Sequence, residues 1–332
     1  MNKKYILLII VIINIEMFSQ YKLSGFASVG YSYVGLNQEL NYTQQTSFGA
    51  KLLLEYNINK HIDARIDFRA NSRRQTVELR EVSIGLDYFD YLKFSAGNLK
   101  KPFGGETIEN IENLSTVGRS YLTQEITKIG YGGRAIGLEA YYKYSKVQKD
   151  YPHSYYLFIY RNNDVETGLV ARYTRVFDDI SFSGNYFLLR TLGEYPITTH
   201  AASIASNLSL YGIAIEGEIL FAQDPVEGIK RIKKNENEEV YIIGGKLSSS
   251  YLISIEDEFI KAVQPVLLFS YYLPDAKVWD EYTLQFLSGA DILLDDNVKF
   301  RVNGDVLLTK DPKTKIYKGH DARLILNLQI KF

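Results

Sequence analysis

Four basic residues lie in or beside the longest stretch of this sequence that lacks a regular alternation of apolar and polar residues. They are Lys100, Lys101, Arg119 and Arg134, and the stretch runs from Lys100 to Tyr131. Ammonium and guanidinium groups hold small anions such as phosphate through charge-assisted hydrogen bonds. Loops of about thirty residues within a compact domain are usually functional or disordered. We therefore expect the four side chains to form an anion-binding point, provided that the rest of the chain directs the stretch into an opening.

The same basic residues have a plainer interpretation. Lys100 and Arg134 could instead form ion pairs with carboxylates of the stretch itself. The candidate acids are Glu106, Glu109 and Glu112. The turn that directs the stretch inward is predicted at Pro102, Gly104 and Gly105, because proline fixes φ and glycine permits positive φ.

The composition limits what the chain can do. The 332 residues include no cysteine, so disulfides, thiolate nucleophiles, cysteine-ligated zinc and an acylated N-terminal cysteine are excluded. The formal net charge is −1 and the sequence has no contiguous basic patch with interspersed aromatics, which argues against nucleic acid as a partner. The 27 tyrosines favour a protein with extensive membrane–water interfaces, where rings with a polar tip are enriched.

The first residues predict an export signal. Lys3 and Lys4 precede an apolar run from Tyr5 to Ile13, which is too short to span a bilayer at about 20 residues. Ser19 offers a small residue for cleavage before Gln20. We expect a signal peptide at residues 1–19 and an exported mature protein at residues 20–332, the alternative being a retained N-terminal anchor. No later segment is apolar enough for a transmembrane helix.

Most of the remaining sequence alternates between apolar and polar residues, the pattern of strands with one apolar face. In the third run the apolar residues are Ile62, Ala64, Ile66, Phe68 and Ala70. Their polar neighbours are Asp63, Arg65, Asp67 and Arg69. One such strand would also suit a soluble β-sandwich, so the number and length of the runs decide the class. About sixteen runs, with fourteen to eighteen as the range, predict an all-β fold that closes into a transmembrane antiparallel barrel.

Connection lengths and the last residue favour the same barrel. Short and long connections alternate, as in outer-membrane barrels with short periplasmic turns and longer extracellular loops. The stretch from Lys100 to Tyr131 is then the third extracellular loop, which we expect to fold inward and narrow the lumen. A phase slip near Arg80 predicts a β-bulge in the fourth strand. The chain ends on Phe332, an aromatic end typical of strands recognised by the barrel-insertion machinery.

Three short motifs lie between Arg80 and Gly137. They are G-N-L-K-K-P-F-G-G-E from Gly97 to Glu106, Arg119-Ser120, and G-R-A-I-G from Gly133 to Gly137. This segment resembles the phosphate-selective porin O/P family of outer-membrane channels, while the rest of the chain agrees with the family only in architecture. The resemblance implies a sixteen-stranded barrel that assembles as a homotrimer and lets small anions through without a cofactor.

The charges predicted to face the lumen carry both signs, whereas phosphate-selective members of that family have many inward basic residues. The basic side chains that we expect to line the lumen include Arg65, Arg69, Arg172 and Arg301. Acids on the same faces include Glu55, Asp63, Asp67, Glu139 and Asp305. A small excess of positive charge would favour anions at low salt, because a low-dielectric wall focuses the electric field. The sequence therefore predicts a mild anion preference rather than strict phosphate selectivity.

The predicted function is passive diffusion of small hydrophilic solutes across the bacterial outer membrane, with the surrounding lipid and small anions as partners. A general porin without selectivity is the first alternative, and an outer-membrane enzyme or a structural barrel is the second. His200 and His320 lie nearest the predicted outer rim, but no two of the four histidines stand at a metal-ligand spacing, and no Walker pattern occurs. We therefore expect no catalytic or metal site.

Overall fold

The computed structural model describes residues 21–36, 41–72, 75–144, 151–162, 164–236, 239–255, 257, 259–310 and 317–332. The signal peptide predicted at residues 1–19 lies outside the described residues. The described strands all belong to one antiparallel sheet of seventeen segments. They are β1 (Tyr21–Leu36), β2 (Asn41–Asn59), β3 (Ile62–Asn71), β4 (Thr76–Phe89), β5 (Leu92–Lys100), β6 (Arg134–Tyr142), β7 (His153–Asn162), β8 (Glu166–Phe177), β9 (Ile180–Thr191), β10 (Thr198–Leu210), β11 (Ile213–Gln223), β12 (Tyr241–Tyr251), β13 (Ile253–Ser254), β14 (Ala262–Leu273), β15 (Thr283–Leu293), β16 (Val298–Lys310) and β17 (Tyr317–Lys331).

The sheet closes into a barrel. Strand β1 pairs with β2 on one side and with β17 on the other, so no edge remains open between the first and last strands. The two-residue β13 pairs with the same strand, β14, as β12 does, and the two segments together fill one position in the barrel. The prediction of a closed antiparallel barrel of sixteen strands is therefore confirmed.

The barrel is apolar on its outer surface and polar inside. On the outer face Leu138, Ile204 and Ile219 are 68%, 71% and 72% exposed. On the inner face Asp67 and Asn303 are almost completely buried. This is the reverse of a soluble protein, in which large apolar side chains are buried and charged ones are exposed. It is the arrangement expected of a barrel whose outer wall contacts lipid.

The two ends of the barrel differ in their connections. At one end, here called the turn end, β8 and β9 are joined through Asp178 and β10 and β11 through Tyr211-Gly212, all of which have positive φ, as tight hairpins require. The opposite end, here called the loop end, carries the long connections. These contain α1 (Gly105–Ile108), α2 (Tyr121–Ile126) and α3 (Pro225–Lys233), with a 3₁₀ turn at Ile111–Asn113 and a π-type turn at Thr127–Tyr131. In the described part of the chain, none of the helices is long and apolar enough to cross a membrane.

The predicted bulge in the fourth strand is present. Asp67 of β3 lies opposite Glu81, and the next residue, Phe68, lies opposite Leu79, so Arg80 has no partner across the pair. A residue inserted in this way changes the direction of the side chains that follow it. The bulge thus places two consecutive side chains, Arg80 and Glu81, on the inner side of β4, where both line cavities of the lumen.

Phe332 lies at the seam where the barrel closes. Its backbone N–H donates to the Gly25 carbonyl at 3.1 Å, and its carbonyl accepts from the Gly25 N–H at 2.9 Å. The phenylalanine side chain is 58% exposed. Recognition of Phe332 by the insertion machinery stays a prediction.

Candidate functional site

The connection between β5 and β6, residues 101–133, lies inside the barrel and is called the inner loop below. Its backbone is bound by lumen-facing side chains of distant strands. The Val117 N–H donates to Asn303 on β16 at 2.9 Å, and the Tyr121 N–H donates to Gln285 on β15 at 2.6 Å. Because the loop leaves the wall between β5 and β6, these contacts show that it crosses the lumen.

One side of the inner loop packs against the wall formed by β7–β14. Phe103, Leu122, Ile126 and Tyr131 of the loop are all at most 2% exposed. Their wall partners in the same cluster include Phe158, Val170, Phe187, Leu189, Ala201, Leu220, Ala222 and Ile242. The Phe103 and Phe187 rings meet edge to face with their centroids 5.5 Å apart, a favourable geometry for aromatic pairs. This part of the lumen, here called the filled half, is occupied by apolar side chains.

Glu106 of the inner loop is held against the barrel wall by a buried ion pair with Lys246 of β12. Its carboxylate accepts from the Ser120 N–H at 3.0 Å and from the Ser120 hydroxyl at 2.7 Å, and it lies 3.6 Å from the Lys246 ammonium. Lys246 also contacts Glu216 at 2.6 Å and Glu218 at 3.7 Å. Burial by itself raises the pKa of the Glu106 carboxyl, but Lys246 and the hydroxyl groups hold that pKa below its ordinary value.

Glu112 attaches the tip of the inner loop to β2 and β3. Its carboxylate lies 2.7 Å from the Lys51 ammonium and 3.6 Å from the Arg69 guanidinium. The Glu112 backbone carbonyl accepts from Lys299 on β16 at 3.1 Å. The sequence alone predicts Glu112 only as a possible partner of Lys100 or Arg134.

Arg301 attaches the next part of the loop to β16. Its guanidinium is 1% exposed and donates to the backbone carbonyls of Leu114 at 2.7 Å and Thr116 at 3.1 Å. It also lies 3.1 Å from the Asp291 carboxylate. Arg301 is thus on the inner face, as the alternation indicates, but its charge is used to hold the loop.

The other side of the inner loop leaves space along the wall formed by β1–β6, β16 and β17, here called the open half. A cavity of about 520 Å³ lies at the loop end, and one of about 550 Å³ lies at the turn end. A third cavity of about 380 Å³ shares Arg69, Arg80 and Arg119 with the first and Lys100 with the second. Because they share lining residues, the three cavities adjoin one another alongside the inner loop.

The middle cavity is strongly basic. Its charged lining consists of Arg69, Arg80, Lys100, Arg119 and Arg134 together with one acid, Glu78. Three of the cations, Arg69, Arg80 and Arg134, have carboxylate partners nearby, and that of Arg69 is Glu112 at 3.6 Å. Arg80 lies 3.2 Å from Glu78, and Arg134 lies 3.6 Å from Asp67 and 3.5 Å from Glu81. The acids that pair with Arg134 thus belong to the wall and not to the loop.

Lys100 and Arg119 are bonded to neutral acceptors. The Lys100 ammonium donates to the Ile108 carbonyl at 2.9 Å and to the Asn110 side-chain oxygen at 2.6 Å. The Arg119 guanidinium donates to the backbone carbonyls of Glu106 and Glu109, each at 3.0 Å. Within the described ranges, no carboxylate lies within 4.0 Å of either charged group. Burial and the nearby charges of Arg69, Arg134 and Arg80 lower the pKa of Arg119, and Glu106 opposes that shift.

Lys101 is separated from these cavities. Its ammonium lies 2.6 Å from the Glu166 carboxylate and 2.8 Å from the Gly130 carbonyl, and it sits 4.6 Å from the centre of the Tyr160 ring. The residue is 2% exposed and lines none of the three cavities of the open half. The expectation that Lys101 forms part of the anion-binding point is therefore corrected, because burial against the filled half removes it from the passage.

The remaining predicted residues have different positions. Arg65 lines the turn-end cavity and pairs with Glu55 at 2.6 Å. Arg172 faces inward and donates to the Gly104 carbonyl at 3.1 Å, so it supports the loop. Pro102 is buried beside the turn-end cavity. Gly104 has φ +78, and a Cβ on Gly105 would come within 2.4 Å of a Glu216 carboxylate oxygen.

The structure describes the two histidines considered for catalysis, His200 and His320, to different extents. The His200 ring contacts the Tyr186 hydroxyl at 2.6 Å. For His320 the structure describes the backbone, as part of β17. Over the described ranges, no group of three or more His, Asp or Glu side chains is placed to hold a metal ion.

No protein-family model matches this sequence, and no curated protein is significantly similar to it. Solved structures are similar in fold. The outer-membrane channel DcaP of Acinetobacter baumannii has a TM-score of 0.67 at 10% identity, covering 94% of this chain and 97% of that one. The anion-selective porin from Comamonas acidovorans has a TM-score of 0.66 at 10% identity, covering 94% and 99%. The trimer form of OmpT, an outer-membrane protein of Vibrio cholerae, has a TM-score of 0.66 at 9% identity, covering 94% and 100%. These identities are so low that the similarity concerns the fold alone.

Proposed function

We propose that this chain is a passive diffusion channel of the bacterial outer membrane that admits small hydrophilic solutes and favours anions. The observation that carries the proposal is the series of three adjoining cavities in the open half, whose middle member is lined by five basic residues and one acid. A low-dielectric wall focuses the field of such a cluster into the passage and raises the local concentration of anions. Cations would be repelled at the same point.

Arg119 contributes most to this field, and Lys100 lines the same cavity. A cation bonded to a carbonyl oxygen keeps its net charge, whereas a carboxylate partner cancels much of the charge as seen from a distance. Both residues line the middle cavity and have neutral hydrogen-bond partners. Arg69, Arg80 and Arg134 have carboxylate partners and add less.

The anion preference is expected to be mild. The charged lining of the turn-end cavity consists of five acids and six bases, which are Glu55, Asp63, Asp67, Glu81, Glu139, Lys22, Lys51, Arg65, Lys93, Lys100 and Lys143. An anion that has passed the middle cavity therefore meets both signs of charge. Strict phosphate selectivity would require several donors that converge on one anion and lack competing acids. Phosphate is accordingly proposed as one of several permeant anions.

The membrane environment and the assembly are part of the same proposal. An apolar outer wall with an inner polar lumen suits a barrel embedded in outer-membrane lipid, with its loop end outside the cell and its turn end in the periplasm. One protein of similar fold is described as a trimer form, and we propose a homotrimer here as well. The proposed insertion signal is Phe332 at the barrel seam.

The experiment that tests the proposal is single-channel recording of the refolded protein in a planar bilayer under a salt gradient. We expect discrete conductance steps and a reversal potential displaced towards anion permeation. Phosphate added to one side should reduce the chloride current, because both anions use the same basic cavity. His200→Ala serves as the matched control, since this substitution should change neither the current nor its sign.

The outcomes separate the competing functions. Steady conductance without charge preference would reduce the protein to a general porin. A correctly inserted barrel that conducts nothing would contradict a channel function and favour a structural barrel. Hydrolysis of lipid or peptide that disappears in His200→Ala would favour an enzyme.

A further inference from the structure

The two ends of the inner loop meet at Lys101. The Lys101 backbone N–H donates to the Gly133 carbonyl at 3.0 Å, and the Lys101 ammonium donates to the Gly130 carbonyl at 2.8 Å. Residues 101 and 130–133 are the start and the end of the loop. A single residue therefore closes the neck of the loop through both its backbone and its side chain.

The closed neck is fixed to the barrel wall by Glu166. The carboxylate of Glu166, the first residue of β8, lies 2.6 Å from the Lys101 ammonium. The Lys101 and Glu166 side chains are only 3% and 12% exposed. The rings of Tyr160 and Phe187 lie 4.6 Å and 5.7 Å from the ammonium and exclude water from it. A buried pair of this kind is costly to break, because the partner left behind keeps an uncompensated charge.

Gly130 is the residue that lets the neck adopt this geometry. Its φ of +106 lies in a region that residues with a side chain rarely adopt. A Cβ at this position would also come within 3.3 Å of a Glu166 carboxylate oxygen and 3.2 Å of Leu189. The carbonyl that accepts from Lys101 is therefore held by a backbone conformation that an alanine would strain.

We propose that Lys101 is a positioning residue of the channel, which holds the neck of the inner loop shut against Glu166 and thereby sets the width of the passage. It does not contact the permeating anion. The proposal rests on the channel function proposed above. It divides the tasks of two adjacent lysines, because Lys100 presents its charge to the passage and Lys101 fixes the loop that forms one wall of the passage.

The two lysines give opposite signatures in a bilayer. We expect Lys101→Met to produce fluctuating sublevels, a higher mean conductance and passage of larger neutral sugars, with the anion-to-cation permeability ratio unchanged. Lys100→Met should give a steady current with a lower permeability ratio. Lys128→Met is the matched control, because Lys128 is an exposed loop lysine whose partner is Glu125. It should resemble the wild type in every readout.

A second readout measures the loop without any current. The chain contains no cysteine, so a single Ile126→Cys reports only on α2, where Ile126 is 2% exposed. In detergent, we expect this thiol to react with maleimide on the order of tenfold or more faster when Lys101→Met is added, because the loop leaves the wall more often. Replacing both partners, Lys101→Met with Glu166→Leu, should return much of the protection, since no buried charge is left unpaired.

Each outcome decides one point. A steady current with a shifted permeability ratio in Lys101→Met would overturn the proposal by placing Lys101 in the passage. An unchanged labelling rate and current would overturn it by showing that the pair does not fix the loop. Lowered thermal stability with both readouts unchanged would leave Lys101 as a residue of barrel stability alone, which also contradicts the proposal. If Lys101→Met fails to fold, Gly130→Ala tests the same neck. If neither the wild type nor any variant conducts, but Lys101→Met still speeds the maleimide reaction of Ile126→Cys, the proposed channel function is wrong. The role of Lys101 in holding the loop is then supported on its own.

Discussion

The two halves of the lumen are built from the same kind of strand, yet one is packed like a protein core and the other keeps adjoining cavities. In the filled half, apolar loop residues such as Phe103 and Leu122 meet an apolar inner wall. In the open half, the wall presents Lys51, Arg69 and Arg301, and the loop reaches it through polar groups such as the Glu112 carboxylate and the Leu114 carbonyl. The inner wall is therefore not uniformly polar, and the local departure from the barrel pattern decides where the loop settles.

The comparison assigns different tasks to the charges of the two halves. Charges in the filled half, such as Lys246 and Lys101, are buried with close carboxylate partners and act on the position of the loop. Lys100 and Arg119 in the open half have neutral partners and line a cavity. Substitutions of the buried charges in the filled half should therefore change stability and conductance noise, and substitutions of the cavity-lining cations Lys100 and Arg119 should change selectivity.

The largest effect is expected from Lys246→Met. The side chain of Lys246 is fully buried and is the cation for Glu106, Glu216 and Glu218. Removing one partner of a buried ion pair costs about 3–5 kcal/mol, and here several carboxylates lose their partner. We expect a marked loss of thermal stability and an unseated inner loop, measured by heat-induced mobility shift and by current noise. Lys261→Met, whose ion pairs with Asp295 and Asp296 are exposed, is the control and should behave as the wild type.

A slightly smaller effect is expected from Leu122→Ala. Leu122 is 2% exposed and packs against Gly244 of β12. A buried leucine replaced by alanine destabilises by about 2–5 kcal/mol, because transfer energy is lost and a cavity remains. We expect noisier and larger currents at unchanged permeability ratio. A shift in the anion-to-cation permeability ratio without additional current noise would contradict the assignment of selectivity to the open half.

Arg119→Gln tests the role of charge in the open half of the lumen. The glutamine can still donate one hydrogen bond to the carbonyls of Glu106 or Glu109 but carries no charge. We expect the anion-to-cation permeability ratio to fall severalfold at low salt, while the current stays steady. Recording in concentrated salt provides the check, because screening shortens the Debye length from about 10 Å at 0.1 M to about 3 Å at 1 M. The difference from the wild type should shrink accordingly.

The smallest effect is expected from Arg65→Gln. Arg65 lines the turn-end cavity, is 43% exposed and pairs with Glu55 and Glu81. Exposed ion pairs contribute about 0–1 kcal/mol, so stability should not change measurably. The permeability ratio should move slightly towards cations. A shift as large as that expected for Arg119→Gln would show that the turn-end cavity, and not the middle cavity, determines the selectivity.

The barrel can be predicted from local features of the sequence, whereas the contacts inside its lumen cannot. Period-two alternation specifies strands and their faces, and even the bulge at Arg80 is visible as a slip in the alternation of β4. Arg65, Arg69, Arg172 and Arg301 accordingly face inward. Whether an inward charge meets water or a buried partner depends on contacts with residues far away in the chain.

Lys100 and Lys101 illustrate that limit. They are adjacent and chemically identical, so the sequence gives no reason to separate them. Lys101 becomes buried because the chain turns after it and brings its ammonium to Glu166, a residue sixty-five positions later. For Arg80, the phase slip in the alternation predicts a bulge, but it does not predict that the side chain lines a cavity. Such contacts become visible only once the loop is folded into the lumen.

The central claim is that the charge of Arg119 in the open half, and not loop charge in general, makes the passage favour anions. The most direct test compares the reversal potentials of the wild type, Arg119→Gln and Lys128→Met under the same low-salt gradient. The account predicts that Arg119→Gln moves the reversal potential towards cation permeation, whereas Lys128→Met leaves it at the wild-type value. Equal shifts in the two variants, or no shift in Arg119→Gln, would contradict the account.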